Sequence, residues 1–477
     1  MIYKDILVPM PSKWALQKKR ANGKKYVYLI IKAYRNKQGK PTSDQVAIGR
    51  FDEATKKLIP NARYFDYFPE NKPASLVIVS KDKKSKSTRH FKKSDLLADS
   101  QIRSYGVPIT LLSLAKQIGL LDILQKCFPD KYDCLLVTAI YMISQGNVMK
   151  YISDWFEETK IDFTSPINDI ECSKLFESIS EAERRLFFSE WIKYRGEQEY
   201  ITYDITSIST YSKNIDIAEY GYNRDGDKLP QLNFGMFYGL PSRTPVYYDL
   251  YNGSIPDKTC LPYMMTNAIE FGIRDACLVF DRGFVTDENL AYLLENHFSF
   301  ITAMPSEREI VKTLIDEVKG KIEKMANWIA EYQLFATKRQ FLFGDTHLTA
   351  HIYYDTEKIT METSEIFSHI SKLATELEKM KKSKQITKRF TDYYIVEKLS
   401  KGSISFKLDE DKIDERVSRV GYFILLSSNP NLTSKEVLKT YRERDIIEKN
   451  FDQLKNKLDF KRMKTHWNKT TEGKMFV

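Results

Sequence analysis

Apolar and polar positions change their period several times along the chain, and the changes divide it. Tyr26-Val-Tyr-Leu-Ile-Ile-Lys-Ala-Tyr34 and Gln45-Val-Ala-Ile-Gly49 are short β-branched and aromatic runs, separated by a polar turn that holds Gly39 and Pro41. They predict a hairpin within a small β-rich unit over residues 1–78. From Ile109 to about Tyr194 the apolar residues instead recur at helical spacing, as in Leu111, Leu112, Ala115 and Ile118, then Leu135, Leu136, Ala139, Ile140 and Ile143. With Pro129 and Gly146 as punctuation, this predicts a bundle of four to six helices over 104–195, with Trp155 and Trp191 in its core.

At about Glu199 the period becomes that of strands. Tyr200 to Ser207, Gln231 to Tyr238 and Thr244 to Tyr251 read as an antiparallel meander. A helix over Asp257–Phe271, a short apolar strand over Ala276–Phe280, a helix over 286–296 and a strand over 298–304 complete a first core segment, 196–305. The alternation then breaks. A helix over Glu307–Glu331, strands over Phe335–Phe343 and His347–Tyr354, and a charged helix over Glu365–Lys384 predict an inserted subdomain over 306–420. Gly421 to Ser427 returns as a strand, and 421–477 reads as the second part of the core.

The last predicted element is one helix from about Ser434 to Leu458, with Ser434 as its N-cap. It has no Gly or Pro and is rich in helix formers. At ~100° per residue, Tyr441, Arg444, Glu448 and Lys455 fall within an arc of roughly 60°. Ile447, Phe451, Leu454 and Leu458 gather on a neighbouring face. One face suits a core, and the next presents a carboxylate among cations and a phenol. Taken alone, the stretch reads equally well as a solvated helix with i,i+4 charge pairs.

Composition narrows the class. The chain has 477 residues, 42% of them hydrophobic, which is enough for large cores and suggests about three domains. No run approaches ~18 uncharged apolar residues and the first residues form no apolar signal core, so a cytosolic protein without a membrane span is expected. The five cysteines are scattered with no C-x-x-C pair, against a zinc site or a disulfide framework. A net charge of +10 favours a polyanionic partner such as nucleic acid. Its cations cluster at Lys18–Lys25, in a basic linker over 79–103 that includes the run Lys81–Lys93, and at Lys379–Arg389. Each cluster also reads as a solvated surface.

Three acids lie where chemistry is expected. Asp204 sits inside a predicted strand, where a carboxylate is costly unless paired or bound to a cation. Asp281 ends the strand after the first core helix, and strand ends are where open α/β sheets build sites; Gly283 would let the backbone turn away there. Glu448 lies on the closing helix. Three such acids together need divalent cations, and oxygen-only ligands select Mg²⁺ or Mn²⁺. Two such ions serve phosphodiester chemistry in which water and then a DNA 3′-hydroxyl attack.

The spacing of Tyr441, Arg444, Glu448 and Lys455 resembles the YREK signature of bacterial insertion-sequence transposases of the IS-four superfamily. Tyr203-Asp204-Ile-Thr206-Ser207 looks like that family's first acidic motif and Asp281-Arg-Gly-Phe284 like its second. The likeness runs in order over roughly 104–477, and the β-rich start followed by a basic linker is similar to the longer members. The resemblance implies an α/β, multidomain protein: a ribonuclease H-like core with a β-containing insertion, behind a helical DNA-positioning region and the N-terminal β unit. It further implies transposition through Asp204, Asp281 and Glu448 with two Mg²⁺ or Mn²⁺ ions. Tyr441, Arg444 and Lys455 would contact DNA phosphates, and Trp328 is the candidate for stacking on an extruded base. The implied partners are double-stranded DNA with terminal inverted repeats, target DNA and a second copy of the chain, in the bacterial cytoplasm at the nucleoid. Members of the family continue beyond a Glu-Gly-Lys-Met-Phe-like segment into another apolar helix. This chain stops at Val477, so a second expectation is a shortened remnant that binds ends without cutting them.

Overall fold

A computed structural model describes residues 6–11, 15–19, 24–35, 40–71, 103–161, 167–195, 200–379, 387–398 and 404–477. The chain divides into two units, Met1–Ile102 and Arg103–Val477. In the first, strands β1 (Ala15–Lys19), β2 (Lys25–Arg35), β3 (Pro41–Asp52) and β4 (Lys57–Pro60) form an antiparallel sheet in chain order. The predicted hairpin is β2–β3, over a small core in which Val27, Ile48 and Leu58 are fully buried. Two of its flanking lysines are engaged: Lys18 donates to Gln45, and Lys25 pairs with Glu53 at 3.0 Å. The run Lys81–Lys93 lies outside the described residues.

The second unit is built on a sheet in which β5 (Tyr200–Thr210), β6 (Gln231–Gly239) and β7 (Thr244–Asn252) form the expected meander. Strands β8 (Cys277–Phe280) and β9 (Ser299–Ala303) lie parallel to β5 on its other side. The order β7-β6-β5-β8-β9, three antiparallel strands followed by two parallel ones, is a ribonuclease H-like core. One face is covered by the helices Asp257–Glu270, Asp287–Glu295 and Glu309–Val318, around Tyr203, Ile205, Leu278 and Phe280. Period 2 sends Asp204, Thr206 and Ile208 to the opposite face.

Residues 306–420 are only partly set apart. β10 (Trp328–Ile329), β11 (Leu334–Phe343) and β12 (Thr346–Tyr354) extend the same sheet through β15 (Tyr422–Ser427), which pairs with β9. The helices Lys358–Lys379, Lys388–Thr391 and Glu410–Val417 gather around their own core of Leu373, Leu377, Phe390 and Ile413, with β13 (Tyr394–Lys398) and β14 (Ile404–Leu408) paired antiparallel. The helix expected over Glu307–Glu331 starts at Glu309 and ends at Val318. Two residues later Gly320 takes φ +70°, and a single turn over Met325–Asn327 leads into β10.

Among the described residues the helical region has six α-helices: Gly106–Gln117, Leu120–Cys127, Tyr132–Gln145, Ile152–Glu158, Asp169–Ser178 and Glu181–Arg195. It does not stand alone. Val137, Tyr141 and Phe176 share a core with Ile208 and Phe234 of the sheet and with Ile447 and Phe451. Trp191 is buried and donates to the Pro245 carbonyl, and Trp155 packs on Tyr141. Gly473, in the last helix Asn468–Phe476, lies where a Cβ would be 2.0 Å from the Phe176 carbonyl oxygen, so the two backbones meet directly. Among the described residues no single helix is long and apolar enough to cross a membrane. All five cysteines are free, three of them buried.

The closing helix departs from expectation in three ways. Its N-cap is Thr433, in a capping box with Glu436; the Ser434 hydroxyl instead meets His351 Nδ1 at 3.0 Å. The helix breaks at Arg444 into Ser434–Glu443 and Asp445–Asp452. There the bonds tighten to i→i−3, from Arg444 N to Tyr441 O and from Ile447 N to Arg444 O. It then widens into one π turn over Gln453–Lys457. Removing the cap through Thr433→Ala is expected to cost about 1 kcal/mol, read as a lower urea midpoint with an unchanged slope.

Candidate active site

The parallel register between β5 and β8 ends at Tyr203 opposite Phe280. The next residues are Asp204 on β5 and Asp281 just past the end of β8, so the two acids leave adjacent backbones that lie ~5 Å apart across the sheet. β8 stops there while β5 runs on. On that edge β5 is next met by β16 (Arg462–Met463), which pairs with Ser209 and Thr210. Between those pairings, Asp204 to Ile208 have no strand beside them on this edge among the described residues.

The helix Asp445–Asp452 packs across that gap. Ile447 is fully buried and Phe451 nearly so, on Ile208, Phe234 and Met236. Burial of this kind contributes ~1.5–3 kcal/mol per side chain. The Asn147 amide, fully buried, fastens the far end by donating to the Asp459 carbonyl at 2.7 Å. Glu448 is thereby held over β5. Asp204, Glu448 and Lys455 line one cleft of about 330 Å³, together with Thr206, Arg224, Asp225 and Lys461. Asp281 is outside that lining and is joined to it through Arg444, whose guanidinium lies 3.0 Å from Glu448 and 3.9 Å from Asp281.

Electrostatics follow from this placement. Asp204 is 4% exposed, and burial raises its pKa against the pull of Arg224, the Ile205 amide and Arg444. Burial works against the charge on Arg444, but Tyr441, Asp281, Glu448 and Asp204 together outweigh it and raise its pKa. Burial also raises the pKa of Tyr441, and its neutral hydroxyl donates to Asp281 at 3.2 Å. Three of the four signature residues are thus gathered at Asp281 and Glu448. The fourth, Lys455, is buried, and its ammonium meets Asp225 at 2.6 Å.

Three carboxylates with no Cys or His among them are a donor set suited to a hard divalent cation. The guanidinium now among them shows that the place takes positive charge. Their spacing does not make a closed cage: among the described residues no three His, Cys, Asp or Glu side chains are grouped closely enough to hold a metal ion.

Sequence reasoning passed over the loop between β5 and β6. Asn223 accepts the Asp225 and Asp227 amides and Gly226 takes φ +73°, which makes a tight turn. From that turn Arg224 reaches Asp204 at 3.4 Å, the Ile205 carbonyl, and Asp257 at 2.7 Å, while Asp225 holds Lys455. The available signal was a cluster of both charge signs around Gly226, within the connection that follows the first acidic strand. Gly283 has no left-handed φ, and a single 3-10 turn over Arg282–Phe284 makes the bend. Trp328 is half-buried against Phe335 on β10. That strand is five places from β8, on the order of 24 Å across the sheet, so Trp328 is not brought to the acids.

Residues 196–476 match the family model described as transposase DDE domain. No curated protein matches the chain. Among solved structures, the chain is similar to a piggyBac transposase synaptic complex with hairpin DNA, at 10% identity and TM-score 0.31, covering 76% of this chain and 64% of that one. It is also similar to a Mos1 transposase paired-end complex with the left transposon end, at 12% identity and TM-score 0.16, covering 52% and 69%. A third is a Drosophila P element transposase strand transfer complex, at 14% identity and TM-score 0.16, covering 48% and 51%. The fold assignment rests on strand order and register rather than on these likenesses.

Proposed function

Since its residues 196–476 match the transposase DDE domain, this chain belongs to that family, and we propose that it is a DNA transposase that cuts and joins element ends through Asp204, Asp281 and Glu448. The observation that carries the assignment of residues is the register that sets Asp204 beside Asp281 under the helix bearing Glu448. The finer placement, in the bacterial YREK group, is supported by the gathering of Tyr441, Arg444 and Glu448 around Asp281.

Asp204, Asp281 and Glu448 would hold two Mg²⁺ or Mn²⁺ ions, which when bound supply activation of the attacking oxygen and stabilisation of the leaving one. The chain's own groups prepare the place. Arg444 keeps Asp281 and Glu448 from repelling each other, Tyr441 orients Asp281 by donating to it, and the closed sheet face keeps water from behind Asp204. The attacking groups are water and then a DNA 3′-hydroxyl, so no protein nucleophile is required. The partners are double-stranded DNA with terminal inverted repeats, target DNA and a second copy of the chain, in the cytoplasm of a bacterium.

Lys455 would exchange Asp225 for a phosphate. Lys455→Ala is expected to weaken binding of duplex DNA by ~10-fold and to lower the salt dependence of log K by about 1, read by fluorescence anisotropy at several salt concentrations. A DNA-binding remnant is disfavoured by the anchoring of the Glu448 helix through Ile447, Phe451 and the Asn147 bond. The function is tested by incubating the protein and Mg²⁺ with DNA carrying the element's ends. Cleaved ends joined to target are expected; a gel shift without any cleavage in Mg²⁺ or Mn²⁺ would defeat the proposal.

A further inference from the structure

The loop that carries Arg224 to Asp204 holds two exposed aromatic rings just before that arginine. Tyr220 and Tyr222 are 72% and 84% exposed, and neither hydroxyl has a hydrogen-bond partner among the described residues. The glycine between them explains their presentation. A Cβ at Gly221 would lie 1.8 Å from the Gly253 carbonyl oxygen, so the backbone is pressed against that turn. Glu219 and Gln231 bond each other's backbone at 2.9 Å in both directions, and the Gln231 side-chain amide donates to the Tyr222 carbonyl at 2.9 Å. The segment is pinned on both sides of Gly221. With the Gly221 backbone held against Gly253, the rings on either side of it are left facing solvent.

Residues i and i+2 of an extended segment stand ~7 Å apart. Stacked bases are ~3.4 Å apart along a strand, so one planar base fits between two such rings. Asn223, next along the chain, donates to Ser209 on β5, and Arg224 follows at Asp204. The two tyrosines thus immediately precede, in the chain, the turn whose Arg224 lines the acid cleft. Lys228 belongs to the same loop, and Lys461 lines the cleft itself. A third exposed tyrosine, Tyr211, carries the Arg462 guanidinium 5.1 Å above its ring. Aromatic faces among cations suit unpaired nucleic acid, whose bases stack while its phosphates are neutralised.

We propose that Tyr220 and Tyr222 form a stacking site for unpaired bases of the DNA strand entering the acid cleft. This rests on the transposase reading but uses residues that the acids do not touch. The test compares binding of a blunt duplex with binding of the same duplex bearing a single-stranded oligothymidine tail. The Tyr220→Ala/Tyr222→Ala protein is expected to lose ~10-fold or more in affinity for the tailed DNA, with blunt-duplex affinity kept within about 2-fold. The Tyr220→Phe/Tyr222→Phe protein, which keeps both ring faces, should bind tailed DNA within about 2-fold of the original. Unchanged tailed-DNA affinity in the alanine protein overturns the proposal, as does an equal loss for both DNAs. A change of oligomeric state with DNA binding unaltered also overturns it, and marks the rings as a contact between copies. If the unaltered protein binds neither DNA, the transposase reading falls and this proposal with it; if it binds and cuts but ignores the ring substitutions, only this proposal falls.

Discussion

Asparagine at position 204 is expected to reduce DNA cleavage and strand transfer by ~10³-fold or more while leaving the melting temperature at neutral pH unchanged or higher. The two halves of this result come from the same burial. Asp204 is 4% exposed in the middle of a strand, and burial raises its pKa above the usual carboxylate range. A group with a raised pKa in the folded state contributes stability that is present below its unfolded pKa, ~3.9, and is lost as pH rises through the folded value. At neutral pH the wild-type protein thus carries a charge that its fold would be more stable without. The amide fills the same space and its oxygen still accepts the Ile205 amide proton, as Asp204 does at 2.8 Å. Arg224 keeps the Ile205 carbonyl and Asp257. Melting curves at neutral and acid pH check the sign: any advantage of the asparagine protein should shrink as pH falls below the carboxylate range. A fully active Asp204→Asn protein would remove Asp204 from the chemistry.

The second large effect is expected at Arg444. Arg444→Lys keeps a positive charge but loses the planar fork that faces Glu448 at 3.0 Å and Asp281 at 3.9 Å. One ammonium on a shorter reach cannot serve both acids, and their separation ceases to be fixed. Cleavage is expected to fall ~10²-fold, since misplacement by about 1 Å is enough for a loss of that size. The stability cost should be modest. Although Arg444 is nearly buried, the side chain of Glu448 is 55% exposed, so ~1 kcal/mol is the appropriate scale rather than the several of a buried pair. Single-turnover cleavage and thermal melting of the lysine protein separate the two. Equal losses of cutting and of folded protein would assign Arg444 to stability alone.

Much of this site was legible because its parts are local. Alternation predicted β5, β6 and β7, and a short apolar run ending in Asp281 predicted β8; two strands paired in parallel then bring their acids together. The core face of the closing helix, with Ile447 and Phe451, followed from simple periodicity. Its continuity did not. Tightening at Arg444 and widening over Gln453–Lys457 wind the backbone in opposite senses, and Lys455 still reaches the same cleft as Glu448. Such departures carry no Gly or Pro marker, and π turns of this kind recur at functional sites.

What was hidden depends on distant partners. Arg224 meets acids 20 and 33 positions away, and Asp225 meets Lys455 across 230; no local pattern encodes such pairs. The burial of Lys455 was hidden for the same reason, since a lysine on a charged face reads as solvated. Trp328 shows the converse. A residue type known for stacking falls within the expected insertion, yet its strand continues the sheet to the far edge. Tyr220 and Tyr222 lie between two predicted strands, where no periodicity marks them, and only the close approach of Gly221 to Gly253 reveals how firmly they are held.

The central claim is that Asp204, Asp281 and Glu448 act as one site. It is tested most directly by a cleavage and strand-transfer assay in Mg²⁺ on DNA carrying the element's ends, comparing the unaltered protein with Asp204→Asn, Asp281→Asn and Glu448→Gln, each also measured for DNA binding. The expected result is that every single substitution abolishes both reactions while end binding persists. Wild-type rates in any one of the three would contradict the account.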